Sequence, residues 1–143
     1  MVPPKKNNRI DKRTNKEYFT YCFTTLSFPL FTEFYSLFYK NKTKIVPNNI
    51  QELLTPRALA YWIMDDGSFD KRDKILRIYT DAYSKEEVNL LISAINTNFN
   101  IKAKMHIHRP GQHRIYINAI NLLKLQKIVE LYMHPSLKSK VGL

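Results

Sequence analysis

The sequence predicts an α+β fold: a sheet with helices on one face, built in the order αββαββα from residue 56 onward. Three observations carry that expectation. Two sharp helix starts, Thr55-Pro56 and Ser84-Lys85-Glu86-Glu87, punctuate the chain. After each, apolar residues recur at the three- and four-residue spacing of an amphipathic helix. Residues 101–108 alternate apolar and basic side chains, the period of a half-buried strand.

Each element follows from its local chemistry. Residues 1–16 are polar and basic and read as a loop or a long hairpin connection. Residues 18–25 are aromatic and β-branched, a predicted strand. Pro29 stands where a helix can begin, and Phe31, Phe34, Tyr35 and Phe38 follow on one face. A shared face reads as core rather than as base-stacking residues. Residues 41–49 read as a basic linker, and 50–54 as a short helical turn. Thr55 is the expected N-cap with Pro56 at the first helical position. This helix runs to about Asp66, with Gly67 expected as a left-handed stop. Residues 75–80 form a strand that 69–74 could pair with, although Asp70-Lys71-Arg72-Asp73 looks more like the turn between them.

Ser84 to Glu87 is a capping box. It opens a helix with Val88, Leu91, Ile92, Ile95 and Phe99 on its apolar face. In the next strand Ile101, Ala103, Met105 and Ile107 are expected inward, and Lys102, Lys104, His106 and His108 outward. After the Pro110-Gly111 turn, Arg114, Tyr116 and Asn118 alternate with Ile115 and Ile117. A last helix carries Leu125, Ile128, Val129 and Tyr132, and a basic tail follows. The chain also echoes itself. Residues 18–44 run strand, helix and basic linker to Lys44, as 114–141 do to Lys140-Val141. The expected division is a partial repeat at 1–47, lacking its front half, and a complete unit at 48–143.

Composition bounds the function. Lys and Arg number 23 against 12 Asp and Glu, a net charge of +11. Such a balance favours a polyanionic partner, because each neutralised phosphate releases counterions. The single cysteine, Cys22, excludes an internal disulfide framework and a cysteine zinc site; in its aromatic run it is expected as a small buried residue. His106, His108 and His113 lack Cys or acid at suitable spacing for a transition metal. No apolar stretch approaches the ~20 residues that span a bilayer, and the opening six residues lack the apolar core of a secretory signal. The wealth of Lys, Asn, Ile, Tyr and Phe, with three Gly, matches the codon bias of an A/T-rich genome and suggests a mitochondrial origin.

The most informative run is Leu59-Ala60-Tyr61-Trp62-Ile63-Met64-Asp65-Asp66-Gly67. It reads as a helix ending in two acids and a glycine. Acids at a helix C-terminus oppose the macrodipole and call for a compensating cation, although they could also be solvated helix-end acids. With Lys44-Ile45-Val46-Pro47-Asn48-Asn49 and the Leu54-Thr55-Pro56 entry, the run resembles the signature region of the LAGLIDADG homing endonucleases. It is similar to the second unit of the omega-intron members of yeast mitochondria. The resemblance extends over nearly the whole chain, and the first signature motif is absent. It departs from the pattern at Tyr61, where the motif has glycine, and at Met64, where it has an acid.

The resemblance implies an antiparallel saddle-like sheet and Mg2+-dependent, site-specific cleavage of double-stranded DNA, once a second acidic motif is paired with this one. Asp66 would bind the metal, and Lys44 and Lys140 would face the phosphate. The missing motif would come from a second LAGLIDADG chain or a homodimer. The outward sheet face, Arg77, Tyr79, Lys102, Lys104, His106, His108, Arg114, Tyr116 and Asn118, is the expected nucleic-acid surface; Lys and Arg meet phosphates, and Tyr, Asn and Arg read base edges. The alternative is a catalytically inactive derivative that grips structured RNA, as an intron maturase or a component of an organellar ribosome or other RNA–protein assembly.

Overall fold

A computed structural model of the chain describes residues 3–143. They fall into two compact units, residues up to Tyr35 and Ser36–Leu143. The first holds β1 (Lys5–Ile10) and β2 (Glu17–Cys22), paired antiparallel from Lys5 opposite Cys22 to Ile10 opposite Glu17. The segment expected as a loop or a long hairpin connection therefore contains a six-residue strand. Every residue of the two strands is exposed, so burial imposes no alternation from which a strand could be read. Cys22 is exposed rather than buried, with Asn7 Nδ2 donating to its Sγ at 3.6 Å. α1 (Pro29–Phe38) begins at Pro29 as expected but buries none of its residues. Phe31, Phe34 and Tyr35 are each about half exposed, not core. A lone two-stranded ribbon presents no apolar layer large enough to cover them. Phe38 alone of the four is partly buried, against the core of the second unit.

In the second unit, β3 (Tyr39–Lys40) and β4 (Thr43–Lys44) form a tight hairpin. Asn41 and Lys42 between them have φ of 50° and 63°, the positive pair that a two-residue hairpin loop demands. α2 (Ile50–Leu53) follows. Then come α3 (Pro56–Asp66), β5 (Gly67–Asp70), β6 (Ile75–Ile78), α4 (Lys85–Phe99), β7 (Lys104–Arg109), β8 (Gln112–Ile117) and α5 (Ala119–Val129). From α3 on, this is the expected αββαββα order. Two 3-10 helices, Glu130–Tyr132 and Pro135–Val141, finish the chain.

The main sheet has the order β5-β6-β8-β7, antiparallel throughout. Residues 71–74 are the turn of its first hairpin. Leu76 and Ile78 of β6 and Ile115 and Ile117 of β8 are fully buried on one face. They meet Leu59 and Ile63 of α3, Val88, Leu91 and Ile95 of α4, and Leu122, Leu125 and Val129 of α5. The Ser84–Glu87 capping box forms with both reciprocal bonds, and Asn100 ends α4 in the left-handed conformation.

Two further expectations are corrected. The predicted alternation of β7 places Ile101 and Ala103 in the core, but Ile107 is 63% exposed. It lies at the far end of an edge strand, beside a break in register between Ile107 and Arg109. Gly67 is not left-handed: its φ is −82°. Glycine is needed there for space. A Cβ would stand 2.5 Å from the Ile63 carbonyl oxygen and 2.7 Å from Ile63 Cγ2. The chain thus passes from helix into strand without the turn that a left-handed cap would insert.

Candidate metal centre and nucleic-acid interface

α3 aims its acids. Thr55 Oγ1 accepts from Ala58 N at 3.2 Å, Pro56 fills the position where no donor is needed, and Leu59, Ala60 and Ile63 form the buried stripe. That phase leaves Tyr61 and Asp65 exposed and Asp66 half-buried at the last turn. The Asp66 carbonyl oxygen accepts from Tyr79 N at 3.0 Å, tying the helix end to the sheet.

Two lysines converge on this end from distant parts of the sequence. Lys44, at the end of β4, bonds the Tyr83 side chain, and its ammonium lies 5.6 Å from that ring's centroid. The Tyr83 hydrogen bond, with smaller contributions from Tyr39 and the Asp66 charge, outweighs desolvation and raises its pKa above the ordinary 10.5. Lys140 Nζ donates to the Asp65 carbonyl oxygen at 2.8 Å, at a helix C-terminus where cations are favoured. Its 3-10 turn is anchored on both sides. Gln126 Nε2 donates to the Val141 carbonyl oxygen at 2.7 Å, and Gly142, at φ 76°, lies so close to Phe69 that a Cβ would meet the ring. Lys138 instead pairs with Glu130 at 3.1 Å.

The Asp66 carboxylate has no hydrogen-bond or ion-pair partner among the described residues, so its oxygens are available. Nor do those residues hold a group of three or more His, Cys, Asp or Glu able to bind a metal. One carboxylate suits a hard divalent cation, whose six or more oxygen ligands must then come mainly from elsewhere. The donor set thus fits part of such a site.

The sheet face opposite the helices gathers many of the predicted binding residues. Register sets Ser68, Arg77, Tyr116 and Lys104 in one row across the strands, and Arg114 beside His106 in the next. Tyr79 lies under the Arg114 guanidinium at 4.4 Å, and His106 stacks on Tyr116 with centroids 6.4 Å apart. Three predicted residues lie outside this array. Lys102 precedes β7; His108 lies at the register break; Asn118 leaves the sheet to cap α5, accepting from Asn121 N and Nδ2.

The sequence matches the LAGLIDADG DNA endonuclease family over residues 2–125. The chain belongs to that family. It is 36% identical over 121 residues to a cytochrome b mRNA maturase of Debaryomyces hansenii, covering 84% of this chain and 45% of that one. It is 35% identical over 130 residues to an intron-encoded endonuclease of Dictyostelium discoideum, covering 90% of this chain and 80% of that one. The fold superposes on the homing endonuclease I-WcaI bound to its DNA recognition sequence with a TM-score of 0.86, at 28% identity, over 98% of this chain and 64% of that one. The chain therefore spans less than half of the maturase and about two thirds of the solved endonuclease.

As a LAGLIDADG helix, α3 departs from the motif at one exposed and one half-buried position. Tyr61, at a motif glycine, is 62% exposed. Met64 is half-buried, and its sulfur accepts from His134 N at 3.2 Å. Sequence reasoning missed the residues that hold the basic groups: Tyr83 at Lys44, Asp70 at Arg77 (3.1 Å) and Asp81 at Arg114 (2.9 Å). It missed also the Glu87 Oε1 that accepts from Val46 N at 3.0 Å and so holds the segment leading from Lys44. The basic array was visible as alternation, whereas its acidic partners lie outside the strands that carry it or across the sheet.

Proposed function

We propose that this chain is the DNA-binding and metal-holding half of a LAGLIDADG homing endonuclease, cutting double-stranded DNA once a second acidic motif completes the site. The observation that carries this reading is the convergence of Lys44, Asp66 and Lys140 at the end of α3. The Asp66 carboxylate would hold Mg2+. The bound metal would activate water and stabilise the leaving oxygen of the scissile phosphodiester. Lys44 and Lys140 would balance the charge of the phosphate that the cation engages. Arg77, Tyr79, Lys104, His106, Arg114 and Tyr116 would lie along the duplex, the bases setting register on phosphates and the forked and aromatic groups reading base edges. Lys102, His108 and Asn118 would touch DNA only at the margins. α3 supplies one metal-holding acid, Asp66, so cutting needs the second motif from another segment or another chain. The likeness to intron-encoded proteins supports a mitochondrial setting.

The maturase likeness favours a second reading, in which the same basic face holds intron RNA and Asp66 is unused. Crosslinking the protein in its own compartment and sequencing the recovered nucleic acid separates the two. A short duplex DNA locus supports the endonuclease; intron or ribosomal RNA alone overturns it in favour of the binder.

A further inference from the structure

Arg114 differs from every other basic residue on the sheet face. Its Nε and Nη2 donate to the two carboxylate oxygens of Asp81 at 2.9 and 3.0 Å. Its guanidinium also lies over Tyr79, 4.4 Å from the ring centroid. Asp81 is itself fixed: the preceding Thr80 is buried, and its hydroxyl donates to the His113 carbonyl oxygen at 2.6 Å, pinning this loop to β8 one residue before Arg114. The side chain of Arg114 is thus held in plane and in rotation before any ligand arrives.

What remains free is informative. The Nε–Nη2 edge is consumed by Asp81, which leaves the Nη1–Nη2 edge with two parallel N–H groups. Among the described residues, the one buried side-chain nitrogen or oxygen without a partner is His113 Nδ1. Nη1 of Arg114, which has no partner, is therefore reached by solvent. Phosphate and a base edge could each accept such a fork. The carboxylate decides between them, because it cancels the guanidinium charge, and a neutral pair gains little from the counterion release that drives phosphate binding. Among major-groove edges, only guanine offers two adjacent acceptors, N7 and O6. Arg77 is held less completely, by a single bond from Nη1 to Asp70 at 3.1 Å, and is not fixed in plane and rotation as Arg114 is.

We infer that Asp81, Arg114 and Tyr79 form a preorganised guanine-reading subsite on the sheet, in which Asp81 is the positioning residue. This rests on the reading of the sheet face as a duplex-binding surface. The test is selection from randomised duplexes by the full chain and by its Asp81→Asn and Arg114→Lys variants. Wild type should enrich guanine at one position by about tenfold or more over other bases. Asp81→Asn should lose that preference at that position alone. Its general affinity for duplex should hold or rise, because the freed guanidinium can turn to phosphate. Arg114→Lys keeps the charge without the fork and should lose the same position, so a folding defect in one variant does not decide the matter. Selected sites unchanged in both variants would overturn the subsite and leave the DNA reading intact. Failure of wild type to enrich any duplex overturns both.

Discussion

Phe31, Phe34 and Tyr35 share one face of α1, as Val88, Leu91 and Ile95 share one face of α4, yet only the α4 set is buried. Both sets are helical stripes; the available partner differs. α4 has a four-stranded sheet to cover and other helices beside it. In the unit that ends at Tyr35, the sheet is a two-stranded ribbon with both faces exposed. An apolar stripe says that a helix has a face to bury, and the layer that receives it must be found elsewhere.

The largest expected effect separates the two regions. Ile63→Ala removes a fully buried side chain between α3 and the sheet and should destabilise the protein by about 2–5 kcal/mol in urea unfolding. Phe34→Ala, at an exposed position, should change it by about 0.5 kcal/mol or less. Equal losses would mean that the α1 face is packed in solution and would break the comparison.

Gly67→Ala sharpens it at the helix end. The new methyl meets the Ile63 carbonyl, so the change should cost about 1–3 kcal/mol and displace the acids it follows. Gly111→Ala, in open space at φ 77°, should cost only the left-handed penalty of about 1 kcal/mol. A cost at Gly67 no larger than that at Gly111 would show that contact with Ile63 is not what selects Gly67.

Glu87→Gln should cost about 1–2 kcal/mol at neutral pH, since one carboxylate accepts from both Ser84 N and Val46 N. Burial works to raise the Glu87 pKa, but the hydrogen bonds from Ser84 and Val46 outweigh it and lower it from 4.5. Its contribution is therefore present above pH 4.5 and lost as pH falls through the folded value. The wild type should converge on the variant in acid, as read by thermal unfolding across pH. A constant difference at all pH would refute the role of the charge. The smallest effect is expected for Tyr83→Phe, which removes the hydrogen bond that holds Lys44. Stability should change by about 0.5 kcal/mol or less, while the Lys44 pKa, followed by NMR, should fall toward its ordinary value.

Much of the αββαββα unit is legible in the sequence because its local signals agree: Thr55-Pro56, the Ser84–Glu87 box, and alternation through Ile101 and Ala103. The β1–β2 hairpin is not, because a ribbon exposed on both faces needs no pattern. The Gly67 conformation is hidden too, since a glycine needed for space and one needed for a turn look alike. At the candidate site, Asp66 and the lysines stand out by motif and charge. Tyr83, Asp81 and Asp70 do not, because their importance lies in which side chain they touch.

The central claim is that Asp66 serves a metal at a scissile phosphate. Its most direct test is cleavage of the crosslinked DNA locus, with the partner segment or chain supplied, by wild type and Asp66→Asn over a Mg2+ titration. Mg2+-dependent cutting that disappears in Asp66→Asn, while the locus is still bound, is the expected result. Cutting that survives the substitution would contradict it.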